Sequence, residues 1–415
     1  MNDSVQRSHA TRDFGLLWFG QTVSEMGSNI SGLAIPLIAI DVLKASAFSV
    51  SLVAAFQMLP YLLFSLPAGA WIDRVAKRSL LITTDVLRAL AVGTIPVAIA
   101  MGWLTMAQLW IVGFVTGSLS VFFDIAYQAY LPSLVEGTDL VKGNSKLEIT
   151  RSGANLISPA MTGILMDAIG AAWTIATDAF SFVAPLLTLS AIRTREPALS
   201  QPEVKTRIIH DIREGLRFVW TEKRIRQVAF CTSTFNFFGS MAGAIIILFA
   251  RRDLGLPASR IGVYLALGSV GGMLGAAAAS RLNGKFGVGH AIIGGAVLSA
   301  IGVYTDPLLT ASNAVYLMIL GGALTSAGGT IYNVSQVSMR QAICPPRLQG
   351  RMNASVRFMV WGTQPLGAAM GGILTGVLSA RWTLLIAALG QTAAITFVFS
   401  PRVRTIKETP EQVSD

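Results

Sequence analysis

Long apolar stretches separated by short polar ones run along the chain from end to end. Most stretches have about the length of 20 residues that an α-helix needs to cross the hydrocarbon core of a bilayer. Charged residues are rare within them, which is typical of transmembrane helices. Twelve spans are predicted, at residues 14–41, 48–70, 79–101, 108–131, 149–168, 173–192, 226–250, 260–280, 288–305, 314–335, 355–379 and 382–401.

The composition agrees with a membrane protein. Hydrophobic residues make up 53% of the chain and charged residues 13%, with a mean hydropathy of +0.59, whereas soluble domains carry about 25% charged residues. Cys231 and Cys344 have no disulfide or zinc-site spacing, and neither a Gly-x-x-x-x-Gly-Lys-Ser/Thr loop nor a His-Glu-x-x-His motif occurs. We expect an all-α membrane protein that is not an enzyme and that uses no cofactor or metal.

Basic residues are distributed unequally between alternate loops. If the N-terminus is inside, twenty-six of the 32 Lys and Arg residues lie in cytoplasmic segments and five lie outside, while Arg88 lies within a span. Basic residues concentrate on the cytoplasmic side of membrane proteins. The pattern predicts a multi-pass protein of the cytoplasmic membrane with both termini inside, and it explains the net charge of +10 without a nucleic-acid partner.

The longest hydrophilic stretch lies between the sixth and seventh spans and divides the chain. The predicted parts are an N-terminal six-helix bundle at 1–192, a cytoplasmic linker at 193–225, a C-terminal six-helix bundle at 226–401 and a cytoplasmic tail at 402–415. Within the linker, apolar residues recur at helical spacing from Ile209 to Val219. Such a helix can lie at the membrane surface, or it can be a solvated connection into the seventh span.

The two halves resemble each other in sequence. Many transporters consist of duplicated halves related by an axis along the membrane normal. The repeat therefore favours a transporter built from two pseudo-symmetric bundles. A shift of 209 residues aligns Asn144 with Asn353, Gly163 with Gly372 and Trp173 with Trp382, and a shift of 212 aligns Gly27 with Gly239.

The loop between spans two and three carries a motif. The sequence "GAWIDRVAKR" at residues 69–78 fits the pattern Gly-x-x-x-Asp-Arg-x-Gly-Arg/Lys-Arg/Lys, except that an alanine stands at the second glycine. It resembles the signature loop of the major facilitator superfamily, and "NSKLEITRSGANLISP" at 144–159 is most similar to the branch of macrolide-efflux proteins and the enterobactin exporter. The resemblance covers essentially the whole chain and implies transport by alternating access.

The resemblance also implies that this loop is a latch that holds the inner gate shut in one state. A carboxylate such as Asp73 is favoured at a helix N-terminus, and a glycine permits close helix contact. Anchoring of the loop to anionic lipid by its last two basic residues is the alternative. The predicted latch residues in the loop are Gly69, Asp73, Arg74, Lys77 and Arg78.

A charged residue at the centre of a membrane helix is a functional candidate, because even permissive insertion scales assign it about 2.5–3.5 kcal/mol. Glu25 lies in the middle of the first span, and Gln21, Ser28, Asn29 and Gly32 share its helical face. This stripe predicts a cavity wall on which Glu25 exchanges a proton or recognises substrate. The alternative is a neutral, hydrogen-bonded Glu25 at a helix contact.

Other polar residues of the spans have simpler interpretations. Asp85 and Arg88 are three residues apart and predict a local ion pair. Asp178 predicts a structural contact, and the resemblance suggests that Asp124 pairs with Arg74, unless it is an ordinary polar helix end. Buried amides that either contact substrate or join helices are Asn155, Asn236, Asn333, Gln336 and Gln364.

The fifth span carries "ISPAMTG" at 157–163. Pro159 and Gly163 match the Gly-Pro-x-x-Gly-Gly motif of exporters in the superfamily, whereas Ser158 and Thr162 depart from it. Proline loosens a helix, and the resemblance places this motif at the contact between the halves. The match favours export, and import stays open.

The interpretation is a proton-driven exporter of amphipathic small molecules, such as drugs, macrolides or siderophores. The proton gradient is its energy source, and its expected partners are the transported molecule and membrane lipid, with the protein a monomer. A symporter that imports a small solute would require a cavity rich in paired charges. A lipid-moving protein would require a lateral opening between helices.

The topology makes the first testable prediction. A single cysteine introduced at residue 200 in a Cys231→Ser, Cys344→Ser background should react with a membrane-impermeant maleimide only after the cells are permeabilised. Labelling of residue 200 in intact cells would contradict cytoplasmic termini and a cytoplasmic linker.

Overall fold

The computed structural model describes residues 2–72, 75–134, 138–192, 194, 208–345 and 348–406, and in this part of the chain it contains α-helices and no β-strand. The helices are α1 (Asn2–Asp41), α2 (Ala47–Ile72), α3 (Lys77–Met101), α4 (Met106–Leu134), α5 (Thr138–Ser181), α6 (Val183–Ala191), α7 (Ile208–Thr221), α8 (Lys223–Leu248), α9 (Ala258–Phe286), α10 (Val288–Val303), α11 (Ala314–Ile343), α12 (Gln349–Trp361), α13 (Gln364–Val377), α14 (Ala380–Val398) and α15 (Pro401–Arg404).

The helices account for all twelve predicted spans. Ten described segments are long and apolar enough to cross a membrane, and one of them, Ser145–Ala191, has 47 residues and covers spans five and six. It bends at Gly170, whose φ of 80° is a conformation that glycine adopts at little cost. The eleventh span is divided between α12 and α13, which have 13 and 14 residues and are each too short for a crossing.

The chain forms two compact units. The first contains Met1–Lys44, Leu63–Lys205 and Pro257–Val263, and the second contains Ala45–Leu62, Thr206–Leu256 and Tyr264–Asp415. The main division falls inside the predicted linker. In addition, α2 begins in the second unit and α9 begins in the first, so each unit includes the start of a span from the other half of the sequence.

In the first unit α1 packs along α5 and α6, while α3 packs on α4 and α5. Leu37 and Ile38 of α1 are completely buried. A Cβ atom at Gly27 would overlap the side chains of Asp178 and Ser181, so glycine is what permits this approach. This packing fixes the position of the polar face of α1.

In the second unit α8 packs between α13 and α14, and α10 packs along α11. The linker helix α7 packs on α12. Its Val219 lies in a buried cluster with Met352 and Val356, and its Glu214 forms an ion pair with Arg351. The apolar periodicity of the linker thus produces a helix that docks on protein, and contact of this helix with the membrane surface stays a prediction.

Two glycines that the internal repeat relates make equivalent contacts. In the first unit a Cβ at Gly163 of α5 would overlap the main chain of Ala258, at the start of α9. In the second unit a Cβ at Gly372 of α13 would overlap Phe48 and Ser51, near the start of α2. The shift of 209 residues therefore aligns two glycines that make equivalent packing contacts in the structure.

These contacts predict opposite effects of the same substitution at different glycines. Alanine at Gly163 or Gly372 should lower the unfolding temperature of the purified protein, since overpacking costs about 1–3 kcal/mol. Alanine at Gly153 or Gly376, which have nothing within 4 Å of a built Cβ, should leave it unchanged or raise it, since alanine is favoured over glycine in a helix by about 0.5–1 kcal/mol. Equal effects at all four positions would contradict the packing described.

Candidate functional site

Glu25 lies on an accessible polar face of α1. The side chains of Gln21, Glu25, Ser28 and Asn29 are half-buried, and Gly32 is exposed with nothing within 4 Å of a built Cβ. Their spacing places them on one side of the helix. The Asn29 amide donates a hydrogen bond of 2.9 Å to the main-chain oxygen of Glu25. The predicted stripe is therefore a partly accessible polar wall within the first unit.

Three other helices bring charged groups to this wall. Burial is the largest influence on the Glu25 carboxyl, and the charges of Arg151 of α5, Asp124 of α4 and Arg88 of α3 also act on it. Tyr127 of α4 is under the influence of the Glu25 charge. Two cations and two carboxyl groups thus share one region, which offsets part of the cost of removing each from water.

Arg151 and Tyr127 are site residues that the sequence reasoning missed. Arg151 lies on α5 four residues before Asn155, and both side chains are exposed. Tyr127 lies three residues after Asp124 on α4. Both could have been found from the sequence, because each lies three or four residues from a predicted site residue and therefore on the same helical face. Asp124 was expected at the cytoplasmic rim beside Arg74, and Arg74 lies outside the described residues.

Asp85 and Arg88 form the pair that their spacing predicts. Arg88 Nη1 lies 3.6 Å from Asp85 Oδ1, and the two side chains are 8% and 0% exposed. The guanidinium carbon lies 4.3 Å from the centre of the Phe123 ring, a favourable cation–π geometry. Among the described residues neither Asp85 oxygen has a hydrogen-bond partner. The pair is held by charge and by the aromatic ring.

Asp178 connects α1 to the C-terminal end of α5. It accepts hydrogen bonds from Ser31 and Ser181, and it is 1% exposed. Gly27 packs against both Asp178 and Ser181. These contacts fit the structural role that its position predicts.

The predicted latch is described only in part. Asp73 and Arg74 lie outside the described residues, and Gly69 lies within α2. Lys77 begins α3, and Arg78 donates hydrogen bonds of 2.8 Å to the main-chain oxygens of Leu189 and Ser190 at the end of α6. A cation at the C-terminal carbonyls of a helix is favourable, so Arg78 has a structural partner inside the first unit.

The motif of α5 lies at a close helix contact. Besides the packing of Gly163 on Ala258, a Cβ at Gly262 would overlap the main-chain oxygen of Pro159. The Asp167 carboxylate accepts a hydrogen bond of 2.9 Å from the main-chain N–H of Ser259. Pro159 and Gly163 therefore lie where α5 meets the start of α9 in the first unit.

The amides that were predicted to be buried divide into different groups, and the expectation of burial is wrong for Asn155 and Asn333, which are exposed. The Asn236 amide of α8 donates to the main-chain oxygen of Val360 in α12 at 3.1 Å, a helix-to-helix hydrogen bond. Gln336 donates to Asn333 at 2.9 Å within α11, with Asn333 exposed and Gln336 buried. Asn155 is exposed and lies on the same face of α5 as Arg151.

The second unit contains a cavity of about 350 Å³. Apolar side chains such as Met58 and Phe235 line it together with alanine and glycine residues, and its polar groups are Asn236, Ser240 and Gln364. At the position of Glu25, the second repeat has Phe237. The two units thus offer different chemistry, charged in the first and uncharged in the second.

Metal binding finds no support among the residues described, since no group of three or more His, Cys, Asp or Glu side chains there could hold an ion.

Two relatives to which this chain is similar are efflux proteins. The multidrug efflux pump Tap of Mycolicibacterium fortuitum is 26% identical over 405 residues, which cover 94% of this chain and 96% of that protein. Macrolide efflux protein A of Streptococcus pyogenes is 22% identical over 316 residues, which cover 76% of this chain and 72% of that protein.

Solved transporters share the fold. A bacterial homologue of the human lysosomal transporter Spinster has a TM-score of 0.73 at 14% identity, with 98% of this chain and 99% of that chain covered. A bacterial homologue of the iron transporter ferroportin has a TM-score of 0.73 at 17% identity, with 95% and 99% covered. At these identities the likeness concerns the fold alone.

A match over nearly the whole sequence shows the family of this chain. The family model described as transmembrane secretion effector matches residues 8–415, and the helical fold and the efflux-protein relatives agree with it. The resemblance drawn from the loop at 69–78 is therefore confirmed. The chain belongs to the transmembrane secretion effector family of major facilitator superfamily transporters.

Proposed function

We propose that this transporter exports amphipathic small molecules by alternating access and that protons drive the cycle through Glu25. The observation that carries the proposal is the position of Glu25, a half-buried carboxyl group on the polar face of α1 on which the charges of Arg88, Asp124 and Arg151 act. Ionisable residues in membrane spans are functional by default. The efflux relatives support outward transport of drug-like molecules.

The charges around Glu25 suit an exchange of proton for substrate. When Glu25 is ionised, Arg88 and Arg151 stabilise it, whereas Asp124 opposes that ionisation. A cationic group of a substrate competes with a proton for the same carboxylate, so only one of the two is held at a time. Arg88 also pairs with Asp85 at 3.6 Å, so its charge is shared between two carboxyl groups and does not belong to Glu25 alone.

The second unit supports the amphipathic character of the substrate. Its cavity is lined by apolar side chains, amides and a hydroxyl group, a combination that suits uncharged, partly apolar groups. A molecule with one cationic end and one apolar end would use the charged wall and the uncharged cavity at different points of its surface. Macrolides have this character.

Glu25→Gln should abolish transport driven by a pH gradient. In proteoliposomes loaded with erythromycin or ethidium, accumulation driven by the gradient should fall to the background rate, while downhill exchange between two substrate pools persists in part. Glu148→Gln is the matched control, since Glu148 is an exposed carboxylate on α5 and its loss should leave accumulation unchanged. Normal pumping by Glu25→Gln, or wild-type transport indifferent to the gradient, would remove Glu25 from the mechanism.

The latch assignment predicts a separation of turnover from binding. Asp73→Asn and Gly69→Leu should reduce turnover at least about tenfold, which corresponds to a shift of about 1.4 kcal/mol between two states. Substrate affinity should change less than about twofold, because the latch is proposed to act on the balance between the two states and not on the binding walls. Equilibrium binding and initial transport rates on the same preparations measure the two quantities, and a parallel loss of both would refute the latch.

A further inference from the structure

A membrane-spanning segment of the second unit is broken beside the cavity. α12 ends at Trp361 and α13 begins at Gln364; Gly362 and Thr363 between them keep helical φ and ψ angles, so the break is an interruption of the hydrogen bonding along the helix. Pro365 follows the break. Its ring lacks an N–H and crowds the carbonyl group one turn earlier, which accounts for the interruption. The carbonyl groups of the last turn of α12 therefore need other partners.

Side chains at the break supply those partners. Ser233 Oγ of α8 donates to the Met359 oxygen at 3.2 Å, and Asn236 Nδ2 of α8 donates to the Val360 oxygen at 3.1 Å. Thr363 Oγ1 lies 3.0 Å from the Val360 oxygen and 3.0 Å from the Ser233 main-chain oxygen. An unpaired carbonyl group in hydrocarbon costs several kcal/mol, so these bonds hold the break in place.

Asn236 belongs both to the break and to the cavity. It lines the cavity of about 350 Å³ together with Ser240, Gln364, Met58 and Phe235. Its Nδ2 is used by Val360, and among the described residues the side chains of Ser240 and Gln364 have no hydrogen-bond partner. Of the residues that the structure describes, those lining the cavity carry no charged side chain. Accessible hydrogen-bonding groups in an otherwise apolar wall are a pattern of ligand sites.

We propose that this cavity binds the uncharged part of the transported molecule, a ring system that carries a hydroxyl or amide donor. The inference rests on the proposed function and specifies the substrate chemistry of the second unit. Ligand pockets typically measure about 300–1,000 Å³, so this cavity accepts one or two rings of a larger substrate. A charged group would lose its hydration there without a counterion.

Asn236 also connects occupancy of the cavity to the shape of the broken helix. A donor that binds the Asn236 Oδ1 polarises the amide group, and the hydrogen bond from Nδ2 to the Val360 oxygen becomes stronger. The occupied cavity therefore stabilises the broken form of α12 and α13. Gln364, the first residue of α13, is the second amide available to the same ligand and takes no part in holding the break.

Binding of a phenol and its methyl ether tests the proposal. The probes are 2-naphthol, which has a hydroxyl donor, and 2-methoxynaphthalene, which lacks it. Equilibrium binding is followed by fluorescence on the purified full chain without any gradient. Gln364→Met should weaken 2-naphthol binding about three- to tenfold and leave the methyl ether unaffected. Gln341→Met, the same change at an exposed position of α11, should alter neither.

Two further variants separate recognition from folding. Ala244→Phe fills the cavity that Ala244 lines and should remove the binding of both probes. Asn236→Leu should weaken 2-naphthol binding and also lower the unfolding temperature by about 2–4 °C, because Val360 loses a donor, whereas Gln364→Met should leave that temperature unchanged.

The outcomes distinguish this inference from the proposed function. Equal loss of both probes in Gln364→Met, or normal binding of 2-naphthol in Ala244→Phe, would overturn the cavity assignment and leave the proton coupling of Glu25 untouched. Conversely, a failure of Glu25-dependent transport would leave these binding results as they are, since no gradient enters the measurement.

Discussion

The cost of charge inside a lipid-spanning bundle is the constraint on which the first unit depends. Asp85 and Arg88 are almost entirely buried and pair with each other at 3.6 Å, because loss of either partner would strand a charge at a cost of about 3–5 kcal/mol. Phe123 covers the guanidinium group. With that pair fixed, Glu25 on α1 is the carboxyl group whose surroundings include both signs of charge, and this mixed environment suits a group that must gain and lose a proton.

The two units preserve packing and diverge in chemistry. Gly163 and Gly372, related by the repeat, both make close contacts with the start of a span from the other half of the sequence. Such contacts depend on small residues, so duplication preserves them without restricting the cavity walls. The walls differ: Glu25 is matched by Phe237, and the amides of the second unit surround an uncharged cavity. Because of this asymmetry, the charged wall of the first unit and the uncharged cavity of the second unit suit different parts of a substrate.

Much of the fold could be predicted because membrane spans are long apolar segments, which are easily recognised in a sequence. The number of spans and the helix in the linker follow from hydrophobic spacing alone. The break between α12 and α13 does not follow from that spacing, although Pro365 was visible. A proline interrupts a membrane helix only where neighbours such as Ser233 and Asn236 donate hydrogen bonds to the freed carbonyl groups. The contribution of Arg151 to the site was missed because basic residues near the ends of spans were interpreted only as a signal of topology.

Proton release on substrate binding tests the central claim most directly. Calorimetric titration of the purified transporter with a cationic substrate such as ethidium, in two buffers of different ionisation enthalpy, measures the protons displaced for each molecule bound. The account predicts that the wild type releases a proton from Glu25 over part of the pH range and that Glu25→Gln binds ethidium without any release. Binding without proton release by the wild type, or undiminished release by Glu25→Gln, would contradict it.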